Sequence, residues 1–282
     1  LSLHDALPIL EKAALLQERG ELASDHPSVT VTFLLAFQKV VERSAAAADL
    51  IRVCAFLSPD DIPEEIFTEG ASELGDHLSS IGDSKLALTN AIAEAAKFSL
   101  IDRYRQTQTL SIHRLVQEVL IAEMEPAEQA QWADGVIKAV NKAFPYFEFA
   151  DWDQCDRILP QAQKAFQLIN HYGCESQEAS RLLNIAGLYL HDRGRYTEAE
   201  SLLKKNLDIS VQISGDDISD IALSFNNLAL LYYQQGRYEE AEPLYLRALE
   251  LGEPVLGEGH PNVILNLNNL AELYRAQGRY SE

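Results

Sequence analysis

The stretch Asn226–Leu251, NNLALLYYQQGRYEEAEPLYLRALEL, decides how the C-terminal third of the chain folds. Its Gly-Arg-Tyr string recurs every 42 residues, beginning at Gly194, Gly236 and Gly278. Around each string, apolar residues lie three, four and seven positions apart, which is the pattern of amphipathic helices. Glycine between two such segments is typical of a turn with a left-handed backbone conformation. Each repeat is therefore predicted to be a pair of helices, A and B.

A small residue occupies one equivalent helix A position in every repeat, where it lets the two helices approach closely: Gly187, Ala229 and Ala271. The first repeat departs from the pattern at Asn206, which stands where Ala248 follows in the second repeat. We expect such a departure in an edge repeat that faces another domain.

These strings, with LNNLAELYRAQGRY at Leu267–Tyr280 and the linker Leu256–Pro261, resemble the tetratricopeptide repeat (TPR) in the 42-residue form of kinesin light chains. The resemblance implies an α-solenoid over residues 179–282, with two full repeats and a truncated third. Its A helices would line a concave groove that binds a protein or peptide. Such an array is a scaffold and supplies no catalytic groups.

Two rows of side chains would project into this groove, one of carboxamides and one of mixed type: Asn184, Asn226 and Asn268, then His191, Tyr233 and Arg275. A carboxamide can both donate to and accept from the backbone of an extended peptide. The alternative is that the asparagines belong to the repeat consensus and bond neighbouring helices. No nucleophile or paired acid accompanies His191, so we predict no catalytic residue here.

The N-terminal half has a different pattern, with helices, a short hairpin and then another helix. Ser44 is a predicted N-cap, and Pro63 is predicted in the first turn of a helix. The predicted elements are helices at Thr32–Arg43, Ala45–Leu57, Glu64–Glu69, Ser84–Leu100 and about His113–Met124, and strands at Leu100–Arg103 and Thr109–Ile112. This order is the layout of a winged-helix domain. The chain is therefore predicted to be mainly α.

Charge argues against a nucleic-acid partner. Lys and Arg number 23 against 43 Asp and Glu, a formal net charge of −20. Between Ser84 and Met124 the bases exceed the acids by one, which is no footprint for DNA. An acidic chain is also a poor ligand for anionic membranes, and no apolar run approaches the roughly 18–20 residues of a membrane span.

Three strings, HPSVTVTFLLAF, AAAADLIRVCAFLSPDDIPEEIF and LSIHRLVQEVL, resemble the winged helix of NB-ARC proteins, which are STAND-class signalling ATPases. The likeness covers roughly Glu11–His171 and leads into the repeats in that family's order. It implies that His113 contacts the β-phosphate of ADP in the inactive state, with Arg114 in place of the acidic neighbour of the plant version. The alternative for His113 is a helix N-cap.

This chain lacks the G-x-x-x-x-G-K-[ST] motif that cradles phosphates. We therefore expect a fragment of a longer protein, with no cofactor and no enzymatic activity of its own. The resemblance implies ADP or ATP with Mg²⁺, and oligomerisation on activation, in the intact protein. The alternative is a stand-alone TPR adaptor without a nucleotide switch. Three cysteines without metal or disulfide spacing favour no metal site and a cytoplasmic location.

The sequence predicts five segments along the chain. Residues 1–9 match the translation of a sequencing adaptor, although a native segment is the alternative. The remaining segments are a linker or helix at 10–28, the winged helix at 29–124, a helical bridge resembling a degenerate repeat at 125–178, and the repeats at 179–282.

Overall fold

The computed structural model describes residues 27–82, 84–145, 152–213 and 218–280. The predictions for residues 1–9 and 10–26 lie outside this part of the chain. The described chain divides between Cys174 and Glu175 into two compact units. Both units are mainly helical, as the sequence predicts.

Unit 1 contains eight helices, one 3-10 turn and three strands among its described residues. They are α1 Pro27–Arg43, α2 Ala45–Phe56, β1 Ile62–Pro63, α3 Glu65–Thr68, a 3-10 turn at Ala71–Glu73, α4 Asp76–Gly82, α5 Lys85–Ala96, β2 Ile101–Tyr104, β3 Thr109–Ile112, α6 Arg114–Ala122, α7 Pro126–Ala143 and α8 Trp152–Tyr172.

Helix α2 forms the centre of unit 1, and nine of its residues are buried. The predicted cap begins it, since Ser44 Oγ accepts a hydrogen bond from the Ala47 amide at 3.2 Å. Asp49 is buried on this helix and is compensated by two partners, as a buried carboxylate must be. Arg52 Nη1 donates to Asp49 Oδ1 at 2.7 Å, and His77 Nδ1 lies 2.8 Å from Asp49 Oδ2.

The predicted hairpin is present and is extended by a third strand that the sequence analysis missed. The strands run antiparallel in the order β1-β3-β2, with Pro63 opposite Thr109 and Tyr104 opposite Thr109 on the other side. The predicted helical position of Pro63 is wrong, because Pro63 ends the edge strand β1. An edge strand tolerates proline since its outer side needs no ladder donor.

The two helices of the predicted bridge belong to unit 1. Gln161 of α8 is fully buried and pairs with the backbone of Ser58, whose amide donates to Gln161 Oε1 at 2.7 Å. Arg157, one turn earlier, donates to Glu65 and to the Gln108 carbonyl, the latter at 2.8 Å. These side chains fix α8 to the loop before β1 and to the hairpin turn.

Unit 2 consists of helix pairs: α9 Gln177–Asp192 with α10 Tyr196–Ile213, α11 Ile218–Gln234 with α12 Tyr238–Leu256, and finally α13 Pro261–Ala276. The turn glycines Gly194, Gly236 and Gly278 have φ of 71°, 72° and 75°, as their period predicts. A Cβ on Gly187 would lie 2.8 Å from the Leu203 side chain, so a small residue there does permit close packing of α9 on α10.

The departure at Asn206 is part of a buried polar cluster between the first and second repeats. Ser180 Oγ donates to Asn206 Oδ1 at 2.7 Å, and Asn206 Nδ2 donates to Ser224 Oγ at 3.0 Å. Ser210 lies within hydrogen-bond distance of both serines. The cluster satisfies its own polar groups, so it fixes the register of α9, α10 and α11 without leaving a buried donor unpaired.

Candidate protein-interaction surface

The A helices of unit 2 form one layer, in which α11 packs against both α9 and α13. Equivalent positions 42 residues apart therefore lie in rows across this layer. Four such positions, spaced three, four and three residues apart, form a stripe on one face of each helix. In α13 the stripe is Leu265, Asn268, Glu272 and Arg275, and all four residues are exposed.

Two asparagines of the predicted groove row accept hydrogen bonds from asparagines of the next repeat. Asn227 Nδ2 donates to Asn184 Oδ1 at 2.8 Å, and Asn269 Nδ2 donates to Asn226 Oδ1 at 2.9 Å. The same contact is thus made twice, one repeat apart. Asn184 and Asn226 therefore form hydrogen bonds with a neighbouring helix, as the alternative interpretation of this row states. The sequence signal for it was the doubled Asn-Asn string at 226–227 and 268–269.

The three asparagines of the row differ in accessibility. Asn226 is 3% exposed, whereas Asn268 is exposed and its carboxamide has no hydrogen-bond partner in the described chain. Peptide contact by this row stays a prediction, and Asn268 is the member whose polar groups are available for it.

The second predicted row has three different environments. His191 Nδ1 lies 2.9 Å from Asp192 Oδ1, and its ring centroid is 5.9 Å from that of Tyr196. Tyr233 makes the corresponding ring contact with Tyr238, at 5.7 Å. Arg275 is held by Glu272, one turn earlier on the same helix.

An ionic clamp joins successive repeats, and the sequence analysis did not find it. Arg237, in the turn of the second repeat, donates from Nη1 to Glu200 Oε2 at 2.8 Å, on helix B of the first repeat. Its guanidinium carbon lies 4.0 Å from the centroid of the Tyr232 ring, a cation–π distance. Tyr232 also donates to Glu200 through its hydroxyl, at 3.2 Å.

The clamp recurs one period later. Arg279 donates to both carboxylate oxygens of Glu242, at 2.7 and 3.0 Å, and lies 4.3 Å from the centroid of the Tyr274 ring. Hydrogen bonds from Arg237 and Lys204 lower the pKa of the Glu200 carboxyl to about 2. Arg279 likewise lowers the pKa of Glu242. Both carboxylates are therefore stabilised in the charged form.

One face of α13 remains uncovered within the described chain. Leu267 is 46% exposed, whereas Leu183, at the equivalent position of the first repeat, is fully buried. Ala271 is exposed as well, whereas Gly187 and Ala229 are buried. The difference arises because α10 covers the corresponding face of α9, and α12 covers that of α11.

In unit 1, His113 is the N-cap of α6. Its Nδ1 accepts a hydrogen bond from the Leu115 amide at 3.1 Å, which assigns the proton of the neutral ring to Nε2. The cap occupies Nδ1 and leaves Nε2 free of it, so the phosphate contact stays a prediction beside the cap. Arg114 is exposed and has no ion-pair partner among the described residues.

Within the described ranges of the chain, no three or more His, Cys, Asp or Glu side chains are grouped so that they could hold a metal ion. No helix in those ranges has the length and apolarity to cross a membrane.

Models of known families match parts of both units. Tetratricopeptide-repeat models match residues 179–217 and 220–282, so unit 2 carries TPRs. Residues 36–129 match the model of a domain of unknown function, DUF7779. The repeats point to a role in protein–protein interaction.

A nucleotide-binding leucine-rich repeat (NLR)-like protein from Hyaloscypha variabilis is 29% identical over 212 residues, which are 74% of this chain and 20% of that protein. The chain thus spans about a fifth of its relative's length. The crystal structure of BtubC (BKLC) from P. vanneervenii is 16% identical, with a TM-score of 0.43 over 77% of this chain and 84% of that chain.

Proposed function

We propose that unit 2 binds an extended segment of a partner protein across its layer of A helices. The observation that carries this proposal is the stripe with three-four-three spacing. In every A helix its side chains are half-buried or exposed, except that of Asn226, which is buried. In α11 its other members are Leu223, Leu230 and Tyr233, all half-buried.

The stripe combines the chemistry that peptide recognition requires. Leu265 offers an apolar contact and is 44% exposed, and the Asn268 carboxamide can pair with a peptide backbone. Arg275 is oriented by Glu272 and is a basic group for an acidic residue of the partner. Aromatic and arginine side chains are the residues in which binding energy concentrates at interfaces.

Selection of binding peptides against the full chain tests this proposal. Leu265→Ala and Arg275→Ala should each weaken binding of the selected peptides by about fivefold or more, the effect of truncating one of the few interface side chains that contribute most of the binding energy. The matched control is Arg247→Ala, because Arg247 is an exposed arginine on α12 that also has an intrahelical glutamate partner. Equal losses in the control and in Arg275→Ala would contradict the proposed surface.

We also propose that unit 1 is a winged helix and that the intact protein is a STAND-type nucleotide switch. The order of helices, strands and hairpin supports this, as does the sheet order β1-β3-β2. The NLR-like relative is compatible with it. The residues present fit only one edge of a nucleotide site: His113 has Nε2–H available, and Arg114 lies beside it on the first turn of α6. ADP would be held mainly by residues outside this chain, and its exchange for ATP would supply the switch.

Two measurements separate the switch from a stand-alone adaptor. The purified chain should neither hydrolyse ATP above the buffer rate nor bind ADP with micromolar affinity, because it has no phosphate-cradling motif. A full-length protein that carries such a motif upstream should retain ADP. Turnover by the isolated chain would contradict the non-enzymatic assignment, and a full-length protein without ADP would favour the adaptor.

A further inference from the structure

A groove in unit 1 belongs neither to the stripe of unit 2 nor to the His113 cap. It has a volume of about 600 Å³ and runs between α6 and α8, and its lining is completed by the end of α2 and the residues that follow it. Apolar side chains contribute to it from both helices, including Ile121 of α6 and Pro160 of α8. The groove is partly open to solvent.

Two basic residues line this groove from opposite helices, Arg114 on α6 and Lys164 on α8. Most lysines and arginines of the described chain have acidic or aromatic partners, as Arg157 does with Glu65. Across the described ranges, the basic side chains without a partner are Lys39, Lys85, Arg105, Arg114 and Lys164. Two of these five line the same groove. This local positive charge contrasts with the net charge of −20 of the whole protein.

The two cations have different exposure. Lys164 is half-buried, and burial lowers the pKa of its ammonium, with no neighbouring charge to oppose the effect. An anion bound beside it would compensate for this loss of solvation. Arg114 is exposed and can present its planar guanidinium to a carboxylate in a bidentate arrangement.

The polar residues of the lining indicate which anion fits. Glu118 also lines the groove and would repel a compact dianion such as phosphate. Its carboxylate can instead accept a backbone N–H, and the Gln167 carboxamide, which has no partner in the described chain, can both donate and accept. An extended peptide supplies backbone donors and acceptors together with separated carboxylates.

We propose that this groove binds a short acidic peptide segment, whose carboxylates pair with Arg114 and Lys164 while its backbone contacts Glu118 and Gln167. The site is independent of the proposed partner surface on unit 2. It gives the chain a second surface for contact with a protein, selected by charge.

Calorimetric titration of the full chain with two isosteric peptides tests the proposal. The probes are acetylated and amidated Ala-Glu-Ala-Glu-Ala and its glutamine counterpart, Ala-Gln-Ala-Gln-Ala. The glutamate peptide should bind about tenfold more tightly, since two charge-assisted pairs together exceed two neutral hydrogen bonds by about that factor. Lys164→Gln and Arg114→Gln should each remove much of this preference, and Lys164→Arg should retain it.

The matched controls are Lys85→Gln and Arg105→Gln, which remove one positive charge each from partnerless residues outside the groove. Both should bind the glutamate peptide like the wild type. A titration of the lysine side chains followed by NMR should show the pKa of Lys164 rising in the presence of the glutamate peptide.

Three results would overturn the proposal. The first is equal binding of the two peptides. The second is a loss in Lys85→Gln as large as that in Lys164→Gln, which would indicate attraction by overall charge. The third is displacement of the glutamate peptide by inorganic phosphate at the peptide's own concentration, which would make the groove a phosphate site.

Discussion

Arg237 and Glu200, 37 positions apart in the chain, join two successive repeats through a hydrogen bond of 2.8 Å. The arginine belongs to the turn of one repeat and the glutamate to helix B of the repeat before it. Because Arg279 and Glu242 make the same contact one period later, the pairing is a property of the repeat and not of one site. The Gly-Arg-Tyr string therefore encodes two functions, the turn through its glycine and the link to the preceding repeat through its arginine.

Replacing Arg237 should destabilise unit 2. Arg237→Ala removes the contact with Glu200 and the stacking on Tyr232, and we expect a loss of about 1–2 kcal/mol in the free energy of unfolding, the sum of a partly desolvated cation–π contact and an ion pair. Arg247→Ala is the control and should change stability by less than about 0.5 kcal/mol. Chemical denaturation followed by circular dichroism measures both. Similar losses in the two variants would mean that the clamp contributes no more than an ordinary surface pair.

Acid should weaken the same clamp. The pKa of Glu200 is lowered to about 2 in the folded protein, below its ordinary value of 4.5. A lowered pKa stabilises the fold above pH 4.5, and this contribution is lost as the pH falls from there towards 2. Glu200→Gln cannot be protonated and should lose less stability across that interval than the wild type does. Thermal melting at a series of pH values tests this, and parallel curves for the two proteins would contradict it.

Substitutions in the asparagine row should affect stability at the buried member, Asn226, and not at the exposed member, Asn268. Asn226→Ala removes a buried acceptor of Asn269 and should cost about 1–3 kcal/mol, because the half-buried Asn269 amide is left unpaired. Asn268→Ala, at the equivalent position of the next repeat, should change stability by less than about 0.5 kcal/mol. Denaturation of both variants provides the comparison. If Asn268→Ala destabilises as strongly as Asn226→Ala, the difference in burial between them is not the cause.

His113 should show two separable roles. His113→Ala removes the cap of α6 and should destabilise unit 1 by about 1 kcal/mol, whereas His113→Asn should restore the cap through its side-chain oxygen. In a full-length protein both variants lack the Nε2 donor, so both should release ADP faster. The readouts are thermal stability of the chain and the ADP off-rate of the intact protein. An unchanged off-rate in His113→Asn would remove His113 from the nucleotide site.

Local sequence patterns were sufficient for most of the helices. The period of 42 predicted the turn glycines and the small residue at Gly187, because a positive φ and a close helix approach both select glycine. Ser44 identified the start of α2 through its capping oxygen. The hairpin was recognised from its alternating strands, but β1 was missed because two residues carry too little periodicity to indicate a strand.

The sequence by itself determined the helix pairs, their turns and the division into a non-repetitive and a repetitive half. These depend on residues within one or two helical turns of each other, where backbone preference and amphipathic spacing act directly. Only the tertiary structure decided that Asn184 and Asn226 bond the next repeat, that Arg237 reaches Glu200, and that Arg114 and Lys164 line one groove. Those relationships join residues 37 to 50 positions apart. A side chain's partner across such a distance is set by how whole helices pack, which no local pattern records.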